Sequence, residues 1–139
     1  MKKSIYYLIM SILVTFQFIV LYFIILQFYP FKIVELKEFK ITDKQVKAGD
    51  MLNFNLEFVK NYSFKGDIQW FFVDGIYYLL PNNGSVYKNI GLSSSKRKLF
   101  IPKNLPPDTY IIHVDISYKI TPFRQVNYVW QSNSFEVIK

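Results

Sequence analysis

An uncharged apolar run from Ile5 to Tyr29 constrains this chain more than any other feature. Only Ser11, Thr15, Gln17 and Gln27 interrupt it. A helix over this run rises about 37 Å, enough to cross a hydrocarbon core of about 30 Å with some tilt. In lipid each backbone N–H and C=O must find its partner within the segment, which a helix provides. Tyr6, Tyr7 and Tyr29 sit near the two ends, where amphipathic rings suit the headgroup region. The run exceeds the apolar stretch of a cleaved signal, about 7–15 residues, and no A-x-A-like site follows it. The sequence predicts a short basic N-terminus over 1–4 and one uncleaved transmembrane helix over 5–29.

The flanks bear on orientation. Lys2 and Lys3 precede the run, and Lys32, Lys37, Lys40, Lys44 and Lys47 follow it. A bare count would place the C-terminal part in the cytoplasm. Long domains, however, cross largely regardless of charge, and the leading lysines often dominate. We expect the N-terminus inside and the domain outside. Within the run, Gln17 puts an amide near the midplane, where it is costly unless hydrogen-bonded. Ser11 and Thr15 give a small-xxx-small spacing. Ser11, Thr15 and Gln17 are therefore the candidate helix–helix contacts.

Composition narrows the rest. The chain has no cysteine, which excludes disulfide scaffolds, thiolate metal sites and cysteine nucleophiles. Its net charge is +7. Much of that lysine accompanies an overall richness in Ile, Asn, Phe and Tyr, so the charge alone is weak evidence for an anionic partner.

Beyond Pro30 the pattern is that of strands. Tyr110, Ile112, Val114, Ile116, Tyr118 and Ile120 alternate with polar residues, the period of a half-buried strand. Leu52, Phe54, Leu56 and Phe58 form a second such face, and Ile68, Trp70 and Phe72 a third. Asp74-Gly75 reads as a two-residue hairpin turn, and Pro81-Asn82-Asn83-Gly84 as the next turn. Further strands are expected at Lys98–Ile101 and Val126–Ile138, the last bending near Ser132–Ser134. Ile33, Leu36 and Phe39 show helical spacing, but they also fit a bulged first strand, the preferred reading. Residues 30–44 are assigned to a juxtamembrane stalk and first strand, and 45–139 to an antiparallel β-sandwich.

The segment Leu105-Pro106-Pro107-Asp108-Thr109-Tyr110 resembles the tyrosine corner of immunoglobulin-like and fibronectin type III-like domains. The turn Val46-Lys47-Ala48-Gly49-Asp50 is similar to the one before the second strand of bacterial and phage Ig-like modules. The resemblance implies that the Tyr110 hydroxyl bonds back to nearby backbone. It also implies that Leu56, Trp70 and Ile112 pack the core where antibody domains carry a disulfide and a tryptophan. The fold class expected is all-β, an antiparallel Ig-like sandwich behind a single transmembrane helix. An anchor plus one such module also resembles uncharacterised envelope and phage-encoded proteins.

Motifs of chemistry are sparse. His113 is the sole histidine, and Asp115 and Ser117 follow it on one strand face. Such residues are about 7 Å apart, so they do not readily converge into a triad. They read as a surface-facing polar row. The acidic residues are scattered, and no metal site, cofactor, nucleic acid or small-molecule substrate is expected. Lys96-Arg97-Lys98 reads as a solvated loop protecting an edge strand. Aromatic side chains are the better lead: the chain has 11 Tyr, 14 Phe and 2 Trp, and such rings favour interfaces. Tyr77, Tyr78, Tyr128 and Trp130, with Phe123 and Arg124 of the last loop, are the candidate partner-binding residues.

Two functions follow as expectations. The first is a non-enzymatic, single-pass membrane module that binds or positions a protein partner, or a second copy, at a cell-envelope or virion membrane. The alternative is a membrane-active subunit of a lysis, exclusion or transport complex, whose helix carries the function.

Overall fold

The computed structural model describes residues 2–80, 84–86 and 89–139. The chain is mostly β, with one N-terminal apolar helix, α1 (Lys2–Phe28). From Lys3 onward the helix side chains are exposed, Leu26 alone being half-buried. By length and composition α1 can cross a membrane. Its end is set by Pro30, which has no N–H to donate to Leu26 O four residues earlier. The last helical bond runs from Tyr29 N to Ile25 O.

The chain then enters the β domain, and Ile33 is already fully buried. Strand β1 (Val34–Ile41) pairs with β3 (Met51–Lys60), and the register shifts between Leu36 and Glu38. The bulge explains the helical spacing of Leu36 and Phe39. One extra residue lets two positions three apart face the same side. Strand β7 (Gly91–Phe100) completes a sheet of order β1-β3-β7.

A second sheet contains β2 (Gln45–Lys47), β4 (Gly66–Val73), β5 (Tyr77–Leu79), β6 (Gly84–Val86), β8 (Thr109–Thr121), β9 (Arg124–Gln131) and β10 (Phe135–Ile138). Its path is β2-β10-β8-β4-β5, with β6 also on β4 and β9 also on β8. After β1 the chain changes sheets, so β2 lies parallel to β10. This is a departure from the purely antiparallel expectation.

The two sheets pack face to face. Phe39 and Phe54 of the first meet Trp70 of the second at ring distances of 6.2 and 5.9 Å. Phe58 meets Trp130 at 5.5 Å. Leu56, Trp70, Tyr110 and Ile112 are all buried in this core. The Tyr110 hydroxyl donates to Pro106 O at 2.8 Å, closing the expected corner. Gly49, at φ +96°, sits in the turn before β3 where a side chain would be strained. Gly66 matters for another reason: a Cβ there would lie 2.5 Å from the Tyr118 ring.

Three local expectations need correction. The β4–β5 loop has three residues, since Val73 pairs with Tyr77; Asp74 Oδ1 accepts the Ile76 N–H inside it. Residues 96–98 are not a loop but part of β7, which pairs with β3 along its length. The expected last strand is two, β9 and β10. Ser132 interrupts it, its N–H donating to Ile112 O and its Oγ accepting from Ile112 N. The turn expected at Pro81-Asn82-Asn83 lies outside the described residues.

Candidate functional site

The densest set of unusual contacts joins α1 to the β domain. Leu26 O, left without a helical donor by Pro30, accepts from Arg124 Nη1 at 2.7 Å. A cation there also complements the negative end of the helix dipole. The same guanidinium lies 5.5 Å from the Phe31 ring centre, a cation–π arrangement. The Tyr128 hydroxyl donates to Phe31 O at 3.1 Å and accepts from Ile33 N at 2.9 Å. Around them Phe31 packs edge-on against Tyr29, Tyr62 and Phe64. Burial pushes the Tyr62 hydroxyl above its ordinary value, with Tyr29 adding to the effect. Lys60, almost fully buried beside this cluster, donates to Phe64 O at 3.0 Å. Burial holds its ammonium below the ordinary lysine value.

Three of the six candidate partner-binding residues make contacts within the chain. Arg124 caps the helix, Tyr128 staples the linker, and Trp130 is buried against Phe58. Tyr78 is half-buried and packs edge-on against Tyr110 at 6.0 Å. Only Tyr77, 58% exposed, and Phe123, 87% exposed, remain open. They do not form one patch. Tyr77 is aligned through Val73 with Ile111, near the start of β8, whereas Phe123 follows its end. No alternation marks this division, because it depends on contacts made across almost the whole chain.

The outer face of the longer sheet carries a second cluster around Tyr77. Its ring lies 5.7 Å from Phe71 and 5.4 Å from His113. His113 is buried beneath them, not surface-facing as expected. His113 Nε2 and Asp115 Oδ1 are 2.8 Å apart, so these two neighbours do converge. The imidazole Nδ1 faces the Gln131 side-chain amide at 3.3 Å. Both ring nitrogens are thus engaged, and neither is directed at a hydroxyl nucleophile as a triad would need. Val129, 58% exposed, lies on the same face beside Asp115.

The β7 edge is the third place of interest. Its alternation splits the basic triplet: Lys96 and Lys98 are exposed, while Arg97 turns toward the space between the sheets. There Arg97 lines a cavity of about 40 Å³ with Leu56, Phe58, Trp70, Tyr118 and Trp130. That is room for about one water, far below the roughly 300–1,000 Å³ of a small-molecule site. Arg97 Nε donates to Ser95 Oγ at 3.0 Å. On the other face Lys96 and Lys98 border a groove with Asn53, Asn55 and Asp43. Asp43 is already bonded to the Asn53 backbone and side chain. Among the described residues no group of three or more His, Asp or Glu side chains could hold a metal.

On the helix, the Thr15 hydroxyl donates to Ser11 O at 2.9 Å, so it is satisfied within its own segment. Gln17 is exposed on the helix surface.

No protein-family model matches the chain, and no curated protein sequence matches it. Solved structures share parts of its shape. The alkylpurine DNA glycosylase AlkC of Pseudomonas fluorescens, bound to DNA with an abasic site analog, aligns at TM-score 0.48 and 12% identity. That alignment covers 77% of this chain and 31% of the glycosylase chain. A Niemann-Pick type C2 protein from the Japanese carpenter ant aligns at 0.44 and 8% identity, covering 75% of this chain and 96% of that one. The ASH/PapD-like domain 7 of human CEP192 aligns at 0.36 and 14% identity, covering 77% and 86%. All three scores lie below 0.5, and none carries a functional argument.

Proposed function

We propose that this chain is a single-pass membrane protein whose Ig-like β-sandwich is non-catalytic and positions a protein partner at a cell-envelope or virion membrane. One observation carries the reading: the apolar helix is not tethered loosely but capped by Arg124 and stapled by Tyr128. A module joined in this way holds its far surface at a fixed height and orientation over the bilayer. The surface it offers is the outer sheet face around Tyr77, Phe71 and Val129, where aromatic and aliphatic groups lie beside the buried His113 and its half-exposed partner Asp115. The strand order and the Tyr110 corner support the Ig-like assignment. We place the N-terminus in the cytoplasm and the domain outside.

The test uses single cysteines in this cysteine-free chain. With Tyr77→Cys in sealed cells, a membrane-impermeant maleimide should label the domain, and a photocrosslinker at 77 should give one discrete adduct. Labelling only after lysis would reverse the orientation. A strictly monomeric protein with no adduct at 77 would remove the partner role.

A second reading has one observation in its favour, the exposed amide of Gln17 on a helix that would lie in lipid. In that reading the helix carries the function in a lysis, exclusion or transport complex. Gln17→Leu would then abolish activity, and deleting residues 45–139 would not.

A further inference from the structure

We propose that the β8–β9 turn, residues 121–124, is a second membrane contact, which seats the β domain on the phospholipid leaflet beside its own helix. The inference rests on the reading that α1 spans a bilayer. Phe123, at the tip of the turn, is 87% exposed. An exposed aromatic at a hairpin tip is costly in water, since a buried side chain of this size gains about 1.5–3 kcal/mol over an exposed one. The turn does not point away from the helix. Phe123 and Thr121 border a groove whose other wall is Val20, Phe23, Ile24 and Phe28, with Gln27 as its polar helical member. From Val20 to Phe28 a helix rises about 12 Å. The tip therefore runs beside two turns of a segment whose own side chains would face acyl chains.

The charge next to it is handled in the same geometry. Arg124 follows Phe123, and a cation at the base of a leaflet is normally unfavourable. Here its guanidinium is bonded to Leu26 O and lies over Phe31, so it enters already paired. The Tyr29, Phe31, Tyr62 and Phe64 rings surround the helix end, the composition of an interfacial belt. Lys32 and Lys119 are exposed nearby in the chain, suited to anionic headgroups. Lipid is the occupant that fits: the groove's helical wall is continuous with the apolar surface that the bilayer must cover.

The experiment places single spin labels at Phe123→Cys, Ile24→Cys and Ile76→Cys in the full chain, reconstituted in phosphatidylcholine–phosphatidylglycerol vesicles. Collision rates with oxygen and with a water-soluble nickel chelate are compared. All three positions are exposed on the protein, so labels there should leave the fold intact. The expected oxygen-to-nickel ratio at 123 is several-fold above that at 76 and close to that at 24. A ratio at 123 equal to that at 76, with 24 still shielded, overturns the seating and leaves the span standing. Nickel access at 24 overturns both. Shielding of 123 from both reagents, with spin broadening lost on dilution by unlabelled chain, assigns the groove to a second copy and overturns the lipid contact.

Discussion

Two tyrosine hydroxyls fasten the two ends of the β domain, and they do so over very different stretches of chain. At the far end Tyr110 donates to Pro106 O, four residues upstream. At the near end Tyr128 bridges Phe31 O and Ile33 N, from 97 and 95 residues away. The first bond closes a corner within one loop. The second ties the last long strand to the linker that leaves the helix. Local closure makes a domain; long-range closure decides how that domain sits on its anchor.

Removing what both ends depend on should have the largest effect. Trp70 packs against Phe39 and Phe54 between the sheets, and Trp70→Ala should cost about 3–5 kcal/mol. Urea unfolding in detergent micelles should show the loss at both ends together. A transition confined to one end would mean that the two closures are not coupled through the core.

Tyr128→Phe should come next. It leaves the N–H of Ile33, a fully buried residue, without its acceptor, a penalty of about 1–3 kcal/mol. The same variant should increase mobility of a spin label on the linker while the far end stays ordered.

Tyr110→Phe should cost less, about 0.5–1.5 kcal/mol, because the freed acceptor belongs to exposed Pro106 and can bond water. Its signature lies in alkali. Burial, with Asp74 adding to it, pushes the Tyr110 hydroxyl from 10.0 up to about 12. The unfolded chain ionises first, so this contribution is complete below pH 10 and is lost as pH rises toward 12. Burial raises Tyr118 as well. Melting temperature followed from pH 9 to 12 should therefore fall in the native chain and fall less steeply in Tyr110→Phe. Equal slopes would discard the assignment.

The smallest effect is expected at the β7 surface. Exposed Lys96 and Lys98 changed together to Gln should alter stability by no more than about 0.5 kcal/mol in a thermal melt.

The same contrast explains what could be read from the chain. The alternation of β8 and the Tyr110 corner are local patterns, and both are legible. Of strand β7 only the end, from Lys98, is legible, because its earlier inward positions are Ser93, Ser95 and Arg97 rather than apolar residues. The bulge in β1 disguises a strand as a helix period. At the helix end half of the signal was present: Pro30 cannot donate to Leu26 O, which announces a carbonyl in need of a partner. That Arg124 would supply it, 98 positions on, depends on β9 pairing with β8 and returning to the linker. The aromatic residues offered as partner contacts divide for the same reason, since Trp130 and Tyr128 face inward on β9. His113 lies on the outward face as its alternation indicates, but Phe71 and Tyr77 cover it.

Capped by Arg124 and stapled by Tyr128, α1 and the β domain should move as one body. Pulsed-EPR distances between spin labels at Ile24→Cys and Ile76→Cys, in the full chain in lipid vesicles, test it most directly. A single narrow distance distribution is expected, as a capped and stapled joint requires. A broad distribution, of the kind given by a domain on a flexible tether, would contradict it.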